Sequence, residues 1–258
     1  MQPRPFISHL AAALGGGLLV LALLAGTGAI GPGGSGPLPS TSPSPSPSPS
    51  PAFVDGTALG PPEAPLRIEI WADFQCPFCR LLAHGIEPDL VRAYAVPGRA
   101  RIVYRDFAVL GPESLAAAAA ARCAERQGAF WRYHDLLFAS QQGENQGGFR
   151  REVLLSLAGF AGLDGAAFRT CLDDPAVAAA VTAETAEGRR LGIDSTPTLR
   201  LVGPAGSELL AGLVDFATIA AAVERAARPA PSPTTPTDGA PPPTGTDGAN
   251  PAPSGSGR

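Results

Sequence analysis

The 258-residue sequence contains no lysine; all 19 of its basic residues are arginine. With so much Ala, Gly and Pro, this reads as codon bias and carries no mechanism. There is also no basic tract and no run of like charges. The formal net charge is −4. These absences speak against nucleic acid and anionic membrane surfaces as partners. No charge lies between Arg4 and Asp55. No cysteine lies near the N-terminus, which excludes a lipidated cysteine there. The folded part has no internal repeat. Cysteine is scarce, at four residues: Cys76, Cys79, Cys123 and Cys171.

Glycine and proline are abundant, at 31 and 29 residues, and most of the excess lies at the two ends. Residues 1–31 read as a signal or membrane anchor. Leu10 to Ala25 is almost wholly apolar, at the short end of the ~20 residues a spanning helix needs. It is also near the upper end for a signal-peptide core, and Thr27 to Ala29 offers small residues for cleavage. Residues 32–54 form a Pro/Ser-rich linker in which extended polyproline-like conformations are expected. A linker is useful when it tethers something, so an anchored extracytoplasmic domain is expected, or a secreted or periplasmic one if the segment is cleaved. The single positive charge stays inside. Residues 228–258 form a second Pro/Thr/Gly-rich tail, expected to be disordered because it cannot bury enough apolar surface to offset its ordering entropy. That leaves residues 55–227 for one domain with a sizeable core.

Within that domain Leu66 to Trp71 alternates and is β-rich, and Ala100 to Phe107 reads as a second strand. Cys76 to Ala95 reads as a helix, with Pro88 kinking it or starting a new segment. From about residue 112 to 191 the pattern is helical throughout, with Asp164 a cap and Pro175 at a helix start. Two short strands follow around the turn "GPAG", and a helix capped by Asp215 closes the domain. The order is β-α-β, a helical block, then β-β-α.

Three readings compete for the cysteines. Zinc would want two close pairs, and only Cys76 and Cys79 are close. A disulfide across three residues closes a tiny loop and is a weak brace. The redox reading accounts for the surroundings. Cys76 lies between a strand and a helix, with Pro77 suited to the first helical position. Unpaired N–H groups and the helix dipole there favour a thiolate, the attacking species in disulfide exchange. Cys79, one turn on, can resolve a mixed disulfide. Cys76 is therefore expected to be exposed and Cys79 buried. Cys123 and Cys171 are read as a structural disulfide within the helical block, with two reduced buried thiols as the alternative.

The stretch "DFQCPFC" resembles the active site of DsbA-like thiol–disulfide oxidoreductases. "IVYRDFAVL", "ARCAERQGAFWRYHDLLF" and "GIDSTPTLRLVG" resemble that family's second strand, its helical insert and its cis-proline loop. The resemblance covers most of Pro65 to Ala227. It implies an α/β, thioredoxin-like fold: a four-stranded mixed sheet with an all-helical insertion at about residues 112–191. It implies a cis Pro197, with Thr196 and Pro197 facing the Cys76–Cys79 pair across a substrate groove to which Pro77 and Phe78 belong. Without the resemblance, Pro197 reads as a strand-start proline. The sequence departs from familiar members twice. The buried acid they carry six residues before the first cysteine is here Ile70, with Glu69 expected on the opposite face. That leaves Asp73 as a candidate for proton handling, or a loop cap. The histidine that strong oxidants carry between the cysteines is here Phe78, which removes one source of thiolate stabilisation and implies a weaker oxidant.

The expected activity is protein disulfide oxidation in secreted or cell-envelope proteins through the Cys-Pro-Phe-Cys pair, with no cofactor and no metal. The substrates would be reduced, unfolded exported proteins. The resemblance implies reoxidation by a DsbB-like or vitamin K epoxide reductase-like membrane protein. A reductase or isomerase of the same fold, or a client-binding module without catalysis, are the alternatives.

Overall fold

The computed structural model describes residues 53–229. The expected anchor, the linker up to residue 52 and the tail from residue 230 lie outside the described residues. The strands are β1 (Val54–Asp55), β2 (Ala58–Leu59), β3 (Leu66–Ala72), β4 (Ala100–Asp106), β5 (Thr198–Gly203) and β6 (Gly206–Ala211). They form one sheet in the order β1-β2-β4-β3-β5-β6. β3 runs parallel to β4 and antiparallel to β5, and β5 pairs antiparallel with β6. The expected four-stranded mixed sheet is this β4-β3-β5-β6 core. The β1–β2 hairpin extends it at the β4 edge, pairing Ala58 with Val103 and Leu59 with Ile102. Its two-residue strands are too short to show a period in the sequence.

β3 is central and covered on both faces. Ile68 and Ile70 join the main core, while Trp71 belongs to a second small cluster with Phe107 and Ile193. Glu69 faces away from Ile68 and Ile70. Its carboxylate accepts from Arg67 Nε at 2.8 Å, Arg200 at 3.1 Å and Trp71 Nε1 at 3.3 Å.

After β3 the chain is helical from Pro77 to Ala95. Helix α1 (Pro77–Leu81) leads into a π-helical turn (Leu82–Ile86), then α2 (Glu87–Leu90) and a second π turn (Val91–Ala95). Pro88 has no N–H to give to the preceding turn and its ring crowds that turn's carbonyl, so the first widened turn falls just ahead of it.

Between β4 and β5 lie α3 (Pro112–Glu125), α4 (Phe130–Ala139), α5 (Arg151–Phe160), α6 (Gly165–Leu172) and α7 (Pro175–Arg190); α8 (Phe216–Ala226) follows β6. The sequence-predicted caps Asp164 and Asp215 are in place: Asp164 accepts from the N–H groups of Ala166 and Ala167, and Asp215 from Thr218. Pro175 opens α7 as expected, and Asp174 just before it accepts from Ala176. Ala117 to Ala121 on α3 are all buried, and their small side chains let α3 pack closely against α4 and α7. Cys123 of α3 and Cys171 of α6 form a disulfide with Cα atoms 5.7 Å apart.

α7 lies against the sheet at the C-terminal ends of β3 and β4, where Gly188 comes close to two rings. A Cβ there would stand 2.8 Å from the Phe107 ring and 2.9 Å from the Trp71 ring. The same edge holds a buried charge cluster. Arg122 of α3 donates to Asp106 at 2.7 Å and also binds Glu184 of α7. Burial raises the Asp106 carboxyl above the usual carboxylate range, and the Arg122 guanidinium only partly opposes it.

Candidate active site: a cysteine pair at a helix start

Cys76 is the N-cap of α1, with Pro77 directly after it and backbone angles of −70° and 122°. The extended cap aims its sulfur at the first free N–H groups of the helix. Cys79, one turn on, is 1% exposed and Cys76 is 4% exposed; both are free thiols. The low exposure of Cys76 corrects the expectation that it lies open to solvent. The residue is covered by the loop preceding β5, whose Thr196 carbonyl accepts from its Sγ at 3.4 Å. The residues that do stand out beside the pair are Phe78, 56% exposed, and Leu81, 53% exposed.

Thr196 and Pro197 reach the pair from 120 residues away. The Thr196–Pro197 peptide is cis. Pro197 is buried and Thr196 half-buried. The Gly212 N–H donates to the Pro197 carbonyl at 2.8 Å, and Thr198 Oγ1 to the Ser195 carbonyl at 2.8 Å, so the loop is held from both sides.

The two sulfurs are electrically unequal. The Cys79 thiol hydrogen-bonds the Cys76 sulfur. Together with the Thr196 side chain and the N–H groups of Cys79 and Phe78 it lowers Cys76 to about 6, against the opposing effect of burial. Burial first, and then the Cys76 partner, push Cys79 well above the ordinary thiol value. The first proton therefore leaves Cys76, and the pair near neutrality is one thiolate sharing the proton of its neighbour. Because the folded value lies below the unfolded one, this thiolate stabilises the reduced protein. The contribution is complete above the ordinary thiol range and is lost as pH falls through about 6. Alkylation of the reduced protein by iodoacetamide should accordingly show a midpoint near 6 assigned to Cys76, with Cys79 unreactive until the protein unfolds. A midpoint at or above the free-thiol value of about 8.5 would remove this account.

Of the two readings of Asp73, proton handling or a loop cap, its contacts are those of the loop cap. Its carboxylate is 1% exposed. It accepts from the Gln75 N–H at 2.8 Å, the Val109 N–H at 2.8 Å, the Leu110 N–H at 3.0 Å and Ser114 Oγ at 2.7 Å. Four donors use its lone pairs, so none is left for a cysteine proton. Asp73 instead ties the loop before Cys76 to the β4–α3 connection and to the first turn of α3.

Sequence reasoning missed the rest of this clamp. The Gln75 amide donates to Ser114 Oγ at 2.8 Å and its carbonyl accepts from the Asn145 N–H at 2.6 Å. The Gln141 amide donates to the carbonyls of Phe74 at 2.6 Å and Cys76 at 3.1 Å. Gly111, at φ +117°, lets the Asn145 amide approach to where a Cβ would be 2.5 Å away. No spacing signal marks these residues, because each pairs with a partner 34 or more positions distant. Together they fasten the α4–α5 loop to the backbone that carries Cys76.

A thioredoxin-type sheet with a cysteine pair at the strand–helix junction, a cis-proline loop across from it and a helical insertion defines a thioredoxin-fold protein of DsbA type. A family model described as thioredoxin matches residues 53–223, and the chain belongs to that family. Among relatives, the probable disulfide bond formation protein D of Bacillus anthracis is 28% identical over 108 residues, 41% of this chain and 50% of that protein. The Na(+)/H(+) antiporter NhaA 3 of Salinispora tropica is 33% identical over 162 residues, 60% of this chain and 24% of the antiporter. The chain thus spans half or less of the length of these relatives. Pseudomonas aeruginosa DsbA2 superposes with a TM-score of 0.55 at 26% identity, over 66% of this chain and 93% of that one.

Proposed function

We propose that this protein is an exported thiol–disulfide oxidoreductase that oxidises thiols of secreted or cell-envelope proteins, with Cys76 as the attacked sulfur and Cys79 as the resolving one. The observation that carries the reading is the asymmetry of the pair: a Cys76 lowered to about 6 at a helix start, against a buried Cys79 raised well above the ordinary range. A client thiolate attacks Cys76 of the oxidised pair, the Cys76–Cys79 bond breaks, and Cys79 leaves. A second client thiol then attacks the client sulfur and releases Cys76 as a stabilised thiolate. A stable thiolate favours the reduced enzyme and so makes the disulfide an oxidant. A value of about 6 lies between the about 7 of thioredoxin and the about 3.5 of the strong oxidant DsbA. This supports an oxidant weaker than the latter, in keeping with Phe78 where a cation is missing.

Phe78 and Leu81 give unfolded clients an apolar landing beside the sulfurs, and the Thr196 backbone offers strand-like pairing. The oxidised pair would be regenerated by a quinone-linked membrane protein resembling DsbB or vitamin K epoxide reductase. Export rests on the apolar N-terminal segment; no helix among the described residues is long and apolar enough to cross a membrane.

The same moderate acidity also favours a reductase as the second reading. One experiment separates them: equilibration with glutathione buffers, followed by incubation of the oxidised protein with a reduced, unfolded client. Oxidase function requires a potential above that of thioredoxin, about −270 mV, and disulfides appearing in the client. A potential at or below that of thioredoxin, with no client disulfides, would make the protein a reductase.

A further inference from the structure

The helical insertion touches the active-site backbone through one side chain. Gln141 directly follows Ser140, the C-cap of α4. Its amide carries two hydrogens, and each meets a carbonyl of the loop that holds the first cysteine: Phe74 at 2.6 Å and Cys76 at 3.1 Å. An amide turned the other way would face its oxygen to two carbonyl oxygens, so chemistry fixes this orientation. Among the described residues the Phe74 carbonyl has no other donor, and the Cys76 carbonyl has only the Arg80 N–H at 3.2 Å besides.

Packing holds the amide in place. α4 buries Phe130, Tyr133, Leu137 and Phe138. Phe138, one helical turn before Gln141, sets its ring 5.0 Å from that of Phe74, just ahead of Cys76. At its far end the α4–α5 loop is held by Glu113 of α3, which accepts from the N–H groups of Gly147 at 2.7 Å and Phe149 at 2.8 Å. The insertion thus presents a preorganised donor, which needs no reordering when the sulfur changes charge.

The consequence is electrical. The groups that lower Cys76 are the Cys79 thiol, the Thr196 side chain and two N–H groups, all of them neutral dipoles. A thiolate held by dipoles responds to the other dipoles at the same cap. The carbonyl oxygen of Cys76 carries partial negative charge in the same residue as the sulfur and opposes the thiolate. The Gln141 hydrogens offset it. The same bond keeps that carbonyl in line with the helix, so the N–H groups of Phe78 and Cys79 stay aimed at the sulfur.

We propose that Gln141 is a positioning residue through which the helical insertion sets the oxidising strength of the cysteine pair. The inference rests on the exchange reading above. In the releasing step the second client thiolate attacks the client sulfur. A client disulfide forms, and the bond to Cys76 breaks with its electron pair left on the Cys76 sulfur. Gln141 stabilises that departing thiolate, and for the same reason it favours the reduced over the oxidised enzyme. It makes no hydrogen bond to either sulfur, so it acts through the backbone of Cys76.

The test uses two variants of the full-length protein. Gln141→Met keeps the length of the side chain and removes both donors; Gln141→Glu keeps its shape and puts an oxygen where the donors stood. In either, the iodoacetamide midpoint of Cys76 should rise from about 6 to about 7. Equilibration with glutathione at pH 7 should shift about fivefold toward the oxidised enzyme, because less of the reduced form is held as thiolate. Glu113→Gln loosens the far end of the same loop without touching the Cys76 carbonyl, and should leave the midpoint at about 6. A midpoint that stays at about 6 in the Gln141 variants overturns the proposal. So does an equal rise in Glu113→Gln, which would make loop order the cause in place of the donors. A wild type that does not equilibrate with glutathione at any pH would instead overturn the exchange reading itself.

Discussion

Cys76→Ser should reduce thiol–disulfide exchange by at least about a thousandfold, because a hydroxyl does not ionise near neutrality and leaves no sulfur for the client to attack. Cys79→Ser should behave differently. Its Cys76 still forms mixed disulfides with oxidised partners, but the buried sulfur that would expel the partner is gone, so adducts accumulate. The asymmetry follows from position. Cys76 sits at the helix start facing Thr196, and Cys79 is behind it, 1% exposed. Non-reducing electrophoresis of the Cys79→Ser protein incubated with oxidised client, and of the double Cys76→Ser/Cys79→Ser variant, reads both effects. Adducts should appear in the first and vanish in the second. Adducts that survive in the double variant, or exchange that survives Cys76→Ser, would assign the nucleophile to another residue.

The double variant Cys123→Ala/Cys171→Ala should lose about 4 kcal/mol of stability, the entropy of closing a loop of this size in the unfolded chain. The two residues are 48 positions apart. For a domain of this size that is a drop of roughly 10 °C in Tm. The effect should be large here because α3 buries mainly alanines, which contribute little apolar area each, so the link to α6 matters more than in a leucine-rich bundle. Thermal unfolding followed by circular dichroism tests this. Thiol counting adds a second reading: in mild reductant the native protein should free Cys76 and Cys79 first, while the buried Cys123–Cys171 bond persists until denaturant is added. A Tm change under about 3 °C would mean that helix packing alone holds the insertion.

Much of this was legible in the residues themselves. Proline after the first cysteine, a β-rich run before it and a helical run after it place Cys76 at a helix start, because local dihedral preferences and N–H satisfaction act over a few residues. The caps at Asp164 and Asp215 and the helix start at Pro175 were legible for the same reason, as was the helical block between two strands. What only the tertiary structure decided are the contacts between distant positions. Cys76 was expected at the surface, since nothing in its own neighbourhood brings Thr196 over it; the β5 loop does so across 120 residues. Asp73 looked like an acid near a thiol until its four donors from the β4–α3 region became visible. Gln141 reads locally as one polar loop residue among several, and only the return of the α4–α5 loop to the strand–helix junction sets its amide against the Phe74 and Cys76 carbonyls. Short-range periodicity determines which elements form. Burial, and with it the protonation chemistry of Cys76 and Cys79, depends on which elements come to lie against them, and no local pattern carries that information.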